Sequence, residues 1–255
     1  MLNRKEVRLF ILLGGFFIAN ALLAEFIGAK IFSLEKAFGF KPLNIKLFGV
    51  EDLSFNMTAG VVLWPVVFIM TDIINEYYGK KGVRMLSFLT VALASYAYLM
   101  IYLAIELPPA NFWEFKELNS QLVNLNTAFR LTFGQGLWII IASLVAFLIG
   151  QFVDVFVFQF LKSKTGNKFL WLRATGSTVV SQFIDSFIVL FIAFYIGSDW
   201  GLTRVLAIGL VNYIYKFSMA VLLTPSLYIL HNFIDSYLGE DLARRLTDEA
   251  SSSNN

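Results

Sequence analysis

Six stretches of this chain are apolar for about as long as a helix needs to cross a bilayer, and most of them enclose a short polar phrase. They cover residues 7–31, 58–78, 83–105, 131–161, 174–196 and 202–230. A hydrocarbon layer of roughly 30 Å asks for about 20 apolar residues per helix. The pattern therefore predicts an all-α integral membrane protein, a bundle of six transmembrane helices. Its two longest runs must tilt or extend beyond the bilayer. Arg4, Lys5 and Arg8 precede the first run in the manner of a signal peptide. That run is too long for an h-region and holds Asn20, Glu25 and Lys30, so it reads as a retained helix.

The connections are short. The first outer one, residues 32–57, contains Leu43-Asn44-Ile45-Lys46-Leu47-Phe48-Gly49-Val50, whose alternation and glycine suit a short β-hairpin or an interfacial flap. The second, residues 106–130, has Pro108-Pro109 and then Phe112-Trp113-Glu114-Phe115, aromatics of the kind that rest at a membrane–water interface. Residues 1–239 read as one transmembrane domain, and 240–255 as a charged, Ser/Asn-rich flexible tail.

Lys and Arg orient the bundle. Arg4, Lys5, Arg8, Lys80, Lys81, Arg84, Lys162, Lys164, Lys168, Arg173, Arg244 and Arg245 fall on one side; Lys30, Lys36, Lys41, Lys46, Lys116, Arg130 and Arg204 fall on the other. Twelve against seven places both termini in the cytoplasm by the positive-inside rule.

Composition narrows the chemistry. The chain is 58% hydrophobic and 15% charged, with 27 Phe and a mean hydropathy of +0.69. That is too apolar for a typical soluble domain. There is no Cys and one His, His231, beyond the deep part of the last run. A disulfide framework, a thiolate metal site and a histidine relay are excluded, and His231 reads as interfacial. A net charge of +2 gives no reason to invoke nucleic acid. No Gly-x-x-x-x-Gly-Lys-Ser/Thr phosphate loop occurs, so the chain does not itself hydrolyse ATP. No cofactor is implied.

The informative residues are polar ones where lipid forbids them. A carboxylate at the centre of a membrane helix costs at least about 2.5 kcal/mol, so such groups face the bundle interior. Asp72, Asn75 and Glu76 stand at i, i+3 and i+4 and share one helix face. Gln151 and Asp154 are three apart, Ser181, Gln182 and Asp185 share a face, and Asn212 and Lys216 are four apart. Gln151-Phe152-Val153-Asp154-Val155-Phe156 also echoes Gln182-Phe183-Ile184-Asp185-Ser186-Phe187 at four of six positions, in runs that should have opposed directions, as in transporter repeats. Carboxylates, amides and one lysine among Trp64, Tyr77, Tyr213 and Tyr215 suit a small polar heterocycle, its edge hydrogen-bonded and its faces stacked. The plainer readings pair Lys216 with Asp185 or Asp154 as a structural ion pair, let Glu25 and Lys30 snorkel, and leave Glu76 solvated at the inner end.

Thr71-Asp72-Ile73-Ile74-Asn75-Glu76-Tyr77-Tyr78-Gly79-Lys80-Lys81, Trp171-Leu172-Arg173-Ala174-Thr175-Gly176-Ser177-Thr178 and Ser181-Gln182-Phe183-Ile184-Asp185 resemble the signature of the YhhQ-type queuosine precursor transporters. The resemblance spans the helical region up to Pro225. It implies a six-helix inner-membrane importer of 7-deazaguanine bases, the 7-cyano and 7-aminomethyl precursors of a modified tRNA nucleoside, in a bacterium or archaeon. The family is akin to the binding components of vitamin transporters. On this reading Asp72, Asn75 and Glu76 form one wall and the inner gate. Gln182 and Asp185 form the opposite wall, Gln151 and Asp154 supply a third, and Lys216 balances their charge. The partners are the base and the surrounding lipid, and a homodimer is compatible with the sequence. Three other readings stay open: a vitamin-binding subunit needing an external ATPase, a proton or cation channel, and an intramembrane enzyme with a carboxylate dyad.

Overall fold

A computed structural model describes residues 4–166 and 169–252. Lys168, counted above among the basic-side charges, and residues 1–3 and 253–255 lie outside the described residues. In chain order the elements are α1 (Lys5–Ile27), β1 (Ile31–Ser33), α2 (Leu34–Ala37), β2 (Ile45–Leu47), β3 (Val50–Leu53), β4 (Asn56–Thr58), a 3-10 turn (Ala59–Val62) and α3 (Trp64–Glu106). There follow α4 (Asn111–Glu114), β5 (Phe115–Leu118), β6 (Gln121–Asn124), α5 (Leu125–Phe133), α6 (Leu137–Thr165) and α7 (Leu170–Leu190), which continues as a π-helical turn (Phe191–Ile196). The chain ends in α8 (Leu202–Leu222), α9 (Thr224–Leu238) and α10 (Glu240–Ser252). Among the described residues the protein is mostly helical, and five helical stretches are long and apolar enough to cross a membrane.

The longest of these, α3, has 43 residues. Straight, it would measure about 65 Å at about 1.5 Å per residue, twice a bilayer core. It is not straight. Gly79 has φ 66° and ψ −173°, outside helical space, in a region that is essentially glycine's alone. On its N-terminal side Gly60 packs on the Ala24 carbonyl and Tyr78 donates to the Glu6 carbonyl at 2.7 Å, so this arm runs antiparallel to α1. Beyond Gly79, Leu86 lies over Gly14 and Tyr98 donates to Glu25 at 2.9 Å, so the second arm runs parallel to α1. The chain doubles back at Gly79, and the apolar runs at 58–78 and 83–105 fall on the two arms.

α6 and α7 form the next hairpin. Ser181 reaches Asp154 while Gly150 lies against Asp185, so the two echoing phrases face each other in opposed directions. The run at 131–161 is divided by Gly134 and Gly136 into α5 and α6, and the run at 202–230 breaks before Pro225, which opens α9. α9 packs against the start of α7 and at the end that holds the start of α1: Lys5 donates to the Tyr237 carbonyl at 2.8 Å, and Tyr77 to Asp235 at 2.6 Å. We call this the basic end, and the opposite one the hairpin end.

The hairpin end matches one expectation and exceeds it. β2 and β3 pair antiparallel around Phe48 and Gly49, both at positive φ, which is the backbone twist a tight hairpin needs. A second hairpin, β5–β6, turns on Asn119 and Ser120. Its exposed strands lack the alternation that marks a half-buried pair, so the sequence pattern conceals it. β3 packs on α8 through Leu53, Ala207 and Val211. Glu35 fastens the same region, accepting from the Phe55 N–H at 2.8 Å and the Ser33 hydroxyl at 3.0 Å.

One expectation is corrected. Residues 240–252 are not a flexible tail. They form α10, with Ala243, Leu246 and Ala250 buried, and Ala243 and Leu246 join the core shared by α1, α3, α6, α7 and α9. A charged helix with an apolar stripe looks unstructured by composition and is ordered by packing.

Two outcomes follow. Gly79→Ala should destabilise the protein by about 1–3 kcal/mol, the usual cost of forcing such a backbone conformation, read as a lower thermal midpoint in detergent; an unchanged midpoint would contradict the reversal. Burial pushes the Glu35 carboxyl up, but the Phe55 N–H, its own N–H, the Ser33 hydroxyl and the Leu43 N–H outweigh it and hold it below the ordinary glutamate value. A depressed carboxylate stabilises above its unfolded pKa, and the contribution is lost as pH falls through the folded value. Proteolysis of segment 31–58 should therefore rise at acid pH, and Glu35→Gln should flatten that dependence.

Candidate functional site

Helical phase puts Glu76 on the interior face of α3, one turn before Gly79, where it is 2% exposed. Two cations meet it. Arg173, in the first turn of α7, places Nη2 2.7 Å from Oε1. Lys162, in the last turn of α6, places Nζ 3.2 Å from Oε2 and 3.4 Å from the Glu76 carbonyl. Arg173 also donates to the Gly166 carbonyl at 2.8 Å and lies over the Phe158 ring. Both cations are buried. By sequence they count as ordinary basic-side charges; in the structure both pair with Glu76.

Above this cluster lies a layer of paired polar side chains. Gln159 donates to Asn75 Oδ1 at 2.6 Å, Thr71 to Gln151 Oε1 at 3.0 Å, and Ser181 to Asp154 Oδ1 at 3.1 Å. Asn75, Glu76, Gln151 and Asp154 thus have partners on neighbouring helices, and none of the four lines either of the two cavities described next.

Toward the hairpin end the bundle opens into a cavity of about 770 Å³, within the range of small-molecule sites. Glu25, Ser143, Asp185, Arg204, Asn212 and Lys216 are among its polar groups; Trp64, Phe147 and Trp200 supply aromatic wall; residues 50–54 and 56–58 of the β-strand region also line it. Asp185 and Lys216 form an ion pair there, which settles the choice of lysine partner left open by the sequence. Glu25 does not snorkel, because Ser143 and Tyr98 both donate to its carboxylate. A narrower cleft of about 40 Å³ shares Val61, Trp64 and Lys216 with the cavity and is lined further by Phe68, Asp72, Thr178, Gln182 and Tyr215. Asp72 Oδ1 and Gln182 Nε2 are buried without a hydrogen-bond partner among the described residues.

Of the eight residues assigned roles from the sequence, Asp72, Gln182, Asp185 and Lys216 therefore gather around two spaces that share lining residues, and the other four are buried away from both. Sequence reasoning missed Arg173 and Lys162 as site residues because cations at helix ends are the commonest of surface features. It missed Ser143 because a lone serine in an apolar run carries no pattern. Asn212 was marked by its four-residue spacing from Lys216. Chemically, the cavity offers paired acid and base, amide and hydroxyl groups and stacking surfaces, the means to bind a flat polar molecule.

The model of a family described as "Putative vitamin uptake transporter" matches residues 58–230, the segment that carries most of these side chains. A "Probable queuosine precursor transporter" of Bacillus subtilis is 30% identical over 186 residues, 70% of this chain and 73% of that protein. One of Haemophilus influenzae is 28% identical over 182 residues, covering 70% and 69%. The "Queuosine precursor transporter" of Escherichia coli is 28% identical over 181 residues, covering 70% and 74%. No solved structure matches the chain.

Breaking a buried ion pair by removing one partner costs about 3–5 kcal/mol. Arg173→Met should lower stability on that scale. A double-mutant cycle with Glu76→Gln should show strong coupling, the double variant losing less than the two single losses together. Additive losses in thermal unfolding would contradict the cluster.

Proposed function

The chain belongs to the vitamin uptake transporter family and is a multi-pass transporter of the plasma membrane, and on that footing we propose that it imports queuosine precursors, the 7-cyano and 7-aminomethyl 7-deazaguanine bases. The observation that carries this reading is the cavity with Asp185 and Lys216 paired at its wall and Asp72 and Gln182 in the adjoining cleft. A deazaguanine presents an N–H and an exocyclic amine on one edge and a carbonyl beside them. Asp185 or Asp72 accepts from the two donors, and Lys216 or Gln182 donates to the carbonyl. Charge-assisted bonds of this kind are about twice as strong as neutral ones. Binding then exchanges the Asp185–Lys216 pair for contacts with the base, so neither charge is stranded. Trp64 and Tyr215 stack on the ring.

In this proposal α3 crosses twice, making six crossings with α1, α6, α7 and α8, and both termini lie in the cytoplasm, where the basic end belongs by the positive-inside rule. The cavity then faces outward, and the Glu76–Arg173–Lys162 cluster with its overlying amide layer is the inner gate. Asn75, Gln151 and Asp154 act in that gate, with Glu76, and the base itself meets Asp72, Gln182, Asp185 and Lys216. Release inward needs the gate's ion pairs to part while the outer cavity narrows, the two-sided alternation expected of a transporter.

The test is ligand-dependent stability. A ligand that binds only the folded state must raise its thermal midpoint. 7-Cyano-7-deazaguanine should raise that of the detergent-purified protein, with guanine and riboflavin giving little. Asp185→Asn should lose the shift and abolish precursor-dependent uptake while the protein stays in the membrane. A shift with riboflavin alone would replace this reading with that of a vitamin-binding subunit.

A further inference from the structure

Glu25 reaches the cavity from within the bundle and finds no cation there. The other charges that line the space are accounted for. Lys216 pairs with Asp185, and the Arg204 guanidinium lies 4.0 Å from the centre of the Trp200 ring. Glu51 pairs with Lys46, and Asp52 beside it is exposed on β3, where water solvates it. Glu25 takes part in no ion pair among the described residues.

Its carboxylate is held in one orientation all the same. Ser143 of α6 donates to Oε1, and Tyr98 of the second arm of α3 donates to Oε2 at 2.9 Å. Gln135, just before α6, donates to the Glu25 carbonyl at 3.2 Å. Neutral hydroxyls orient a carboxylate and leave its charge in place. A fixed, unpaired carboxylate at a cavity wall is a seat for a cation that arrives through the cavity, because the ordering cost of binding is already met. Among the described residues no three acidic or histidine side chains gather to hold a metal ion. One carboxylate flanked by hydroxyls suits an organic ammonium instead.

α6 measures the distance from this seat to the other charged wall. Ser143 meets Glu25, and Gly150, seven residues on, lies against Asp185. Both contacts therefore fall on one face of α6, two turns and about 10 Å apart at about 1.5 Å per residue. A fused bicyclic base with a one-carbon arm covers that span once a hydrogen bond is added at each end. Its edge then sits deep, against Asp185 and Lys216, and its arm points back toward the hairpin end.

We propose that Glu25 seats the ammonium of the 7-aminomethyl base and makes the protein prefer that base to the 7-cyano one. The proposal rests on the importer reading above. An aminomethyl arm carries a positive charge and N–H donors at neutral pH. A nitrile is neutral and offers an acceptor lone pair, which a carboxylate repels. With the ammonium in place Glu25 is neutralised, and the 7-cyano base leaves it as it was.

Isothermal titration of the detergent-purified full chain with both bases tests this. The wild type should bind 7-aminomethyl-7-deazaguanine more tightly than the 7-cyano base. Glu25→Gln keeps the shape and removes the charge. It should shift the ratio of the two dissociation constants toward the 7-cyano base by about 10- to 100-fold, the worth of one hydrogen bond to a charged group. If Glu25 only ties helices together, both bases weaken alike and the ratio stays, which overturns the proposal. Should Glu25→Gln fail to fold, Ser143→Ala, which releases one side of the carboxylate, should narrow the preference several-fold; an unmoved ratio there overturns it equally. A wild type that binds both bases with equal affinity, or the 7-cyano base more tightly, overturns the seat and leaves the importer reading standing. A wild type that binds neither overturns both.

Discussion

A carboxylate inside an apolar bundle must be matched by cations, and Glu76 is matched by two. Its pairing with Arg173 and Lys162 joins α3, α6 and α7 at one level. Removing any member would leave an unpaired charge where solvation is weakest. The register of the two hairpins follows from this joint. Gly79, one turn after Glu76, is where the chain reverses. Arg173 at the start of α7 and Lys162 at the end of α6 set how those helices pass, bringing Ser181 to Asp154 and Gly150 to Asp185. The same joint makes the bundle asymmetric, with paired charge toward the basic end and a cavity toward the other.

Polarity is graded along that axis. Nearest the basic end the groups are ionic and closed. Next come amide and hydroxyl pairs from Thr71, Asn75, Gln151 and Gln159. In the same layer Asp72 and Gln182 border the cleft, and beyond it the cavity holds Asp185 with Lys216 and Glu25 with Ser143. Lipid meets none of this. Phe16, Phe88, Phe152, Phe156, Phe160 and Phe183 are turned outward, which is why so Phe-rich a chain can keep so polar an interior.

Much of this was legible in the sequence because lipid penalises polarity so strictly. Carboxylates and amides at helical spacing had to face inward, and Asp72, Gln182, Asp185 and Lys216 converge as their spacing implied. The β2–β3 hairpin was legible from Phe48-Gly49 and the alternation before it. What escaped was the identity of partners. Arg173 and Lys162 look like membrane-flanking cations, and nothing local tells a flanking cation from a buried one. Glu25 looks like a snorkelling residue until Tyr98 and Ser143, far away in sequence, are placed beside it. α10 escaped for the opposite reason: its buried face is only Ala243, Leu246, Thr247 and Ala250, too small an apolar stripe to stand out against its charges. The break before Pro225 was visible but lay inside a run apolar on both sides.

The central claim is that one face of the membrane reaches the cavity while the Glu76 cluster shuts off the other. The chain has no cysteine, so single cysteines report access cleanly. Asn212→Cys lines the cavity, and Ser177→Cys lies in the buried layer beneath. The measurement is labelling of each by a membrane-impermeant thiol reagent in cells and in inverted vesicles, with and without 7-cyano-7-deazaguanine. The account predicts that the cysteine at 212 reacts from the outside only and is protected by the base, and that the cysteine at 177 reacts from neither side. Labelling at 212 from the cytoplasmic side, or labelling indifferent to the base, would contradict it.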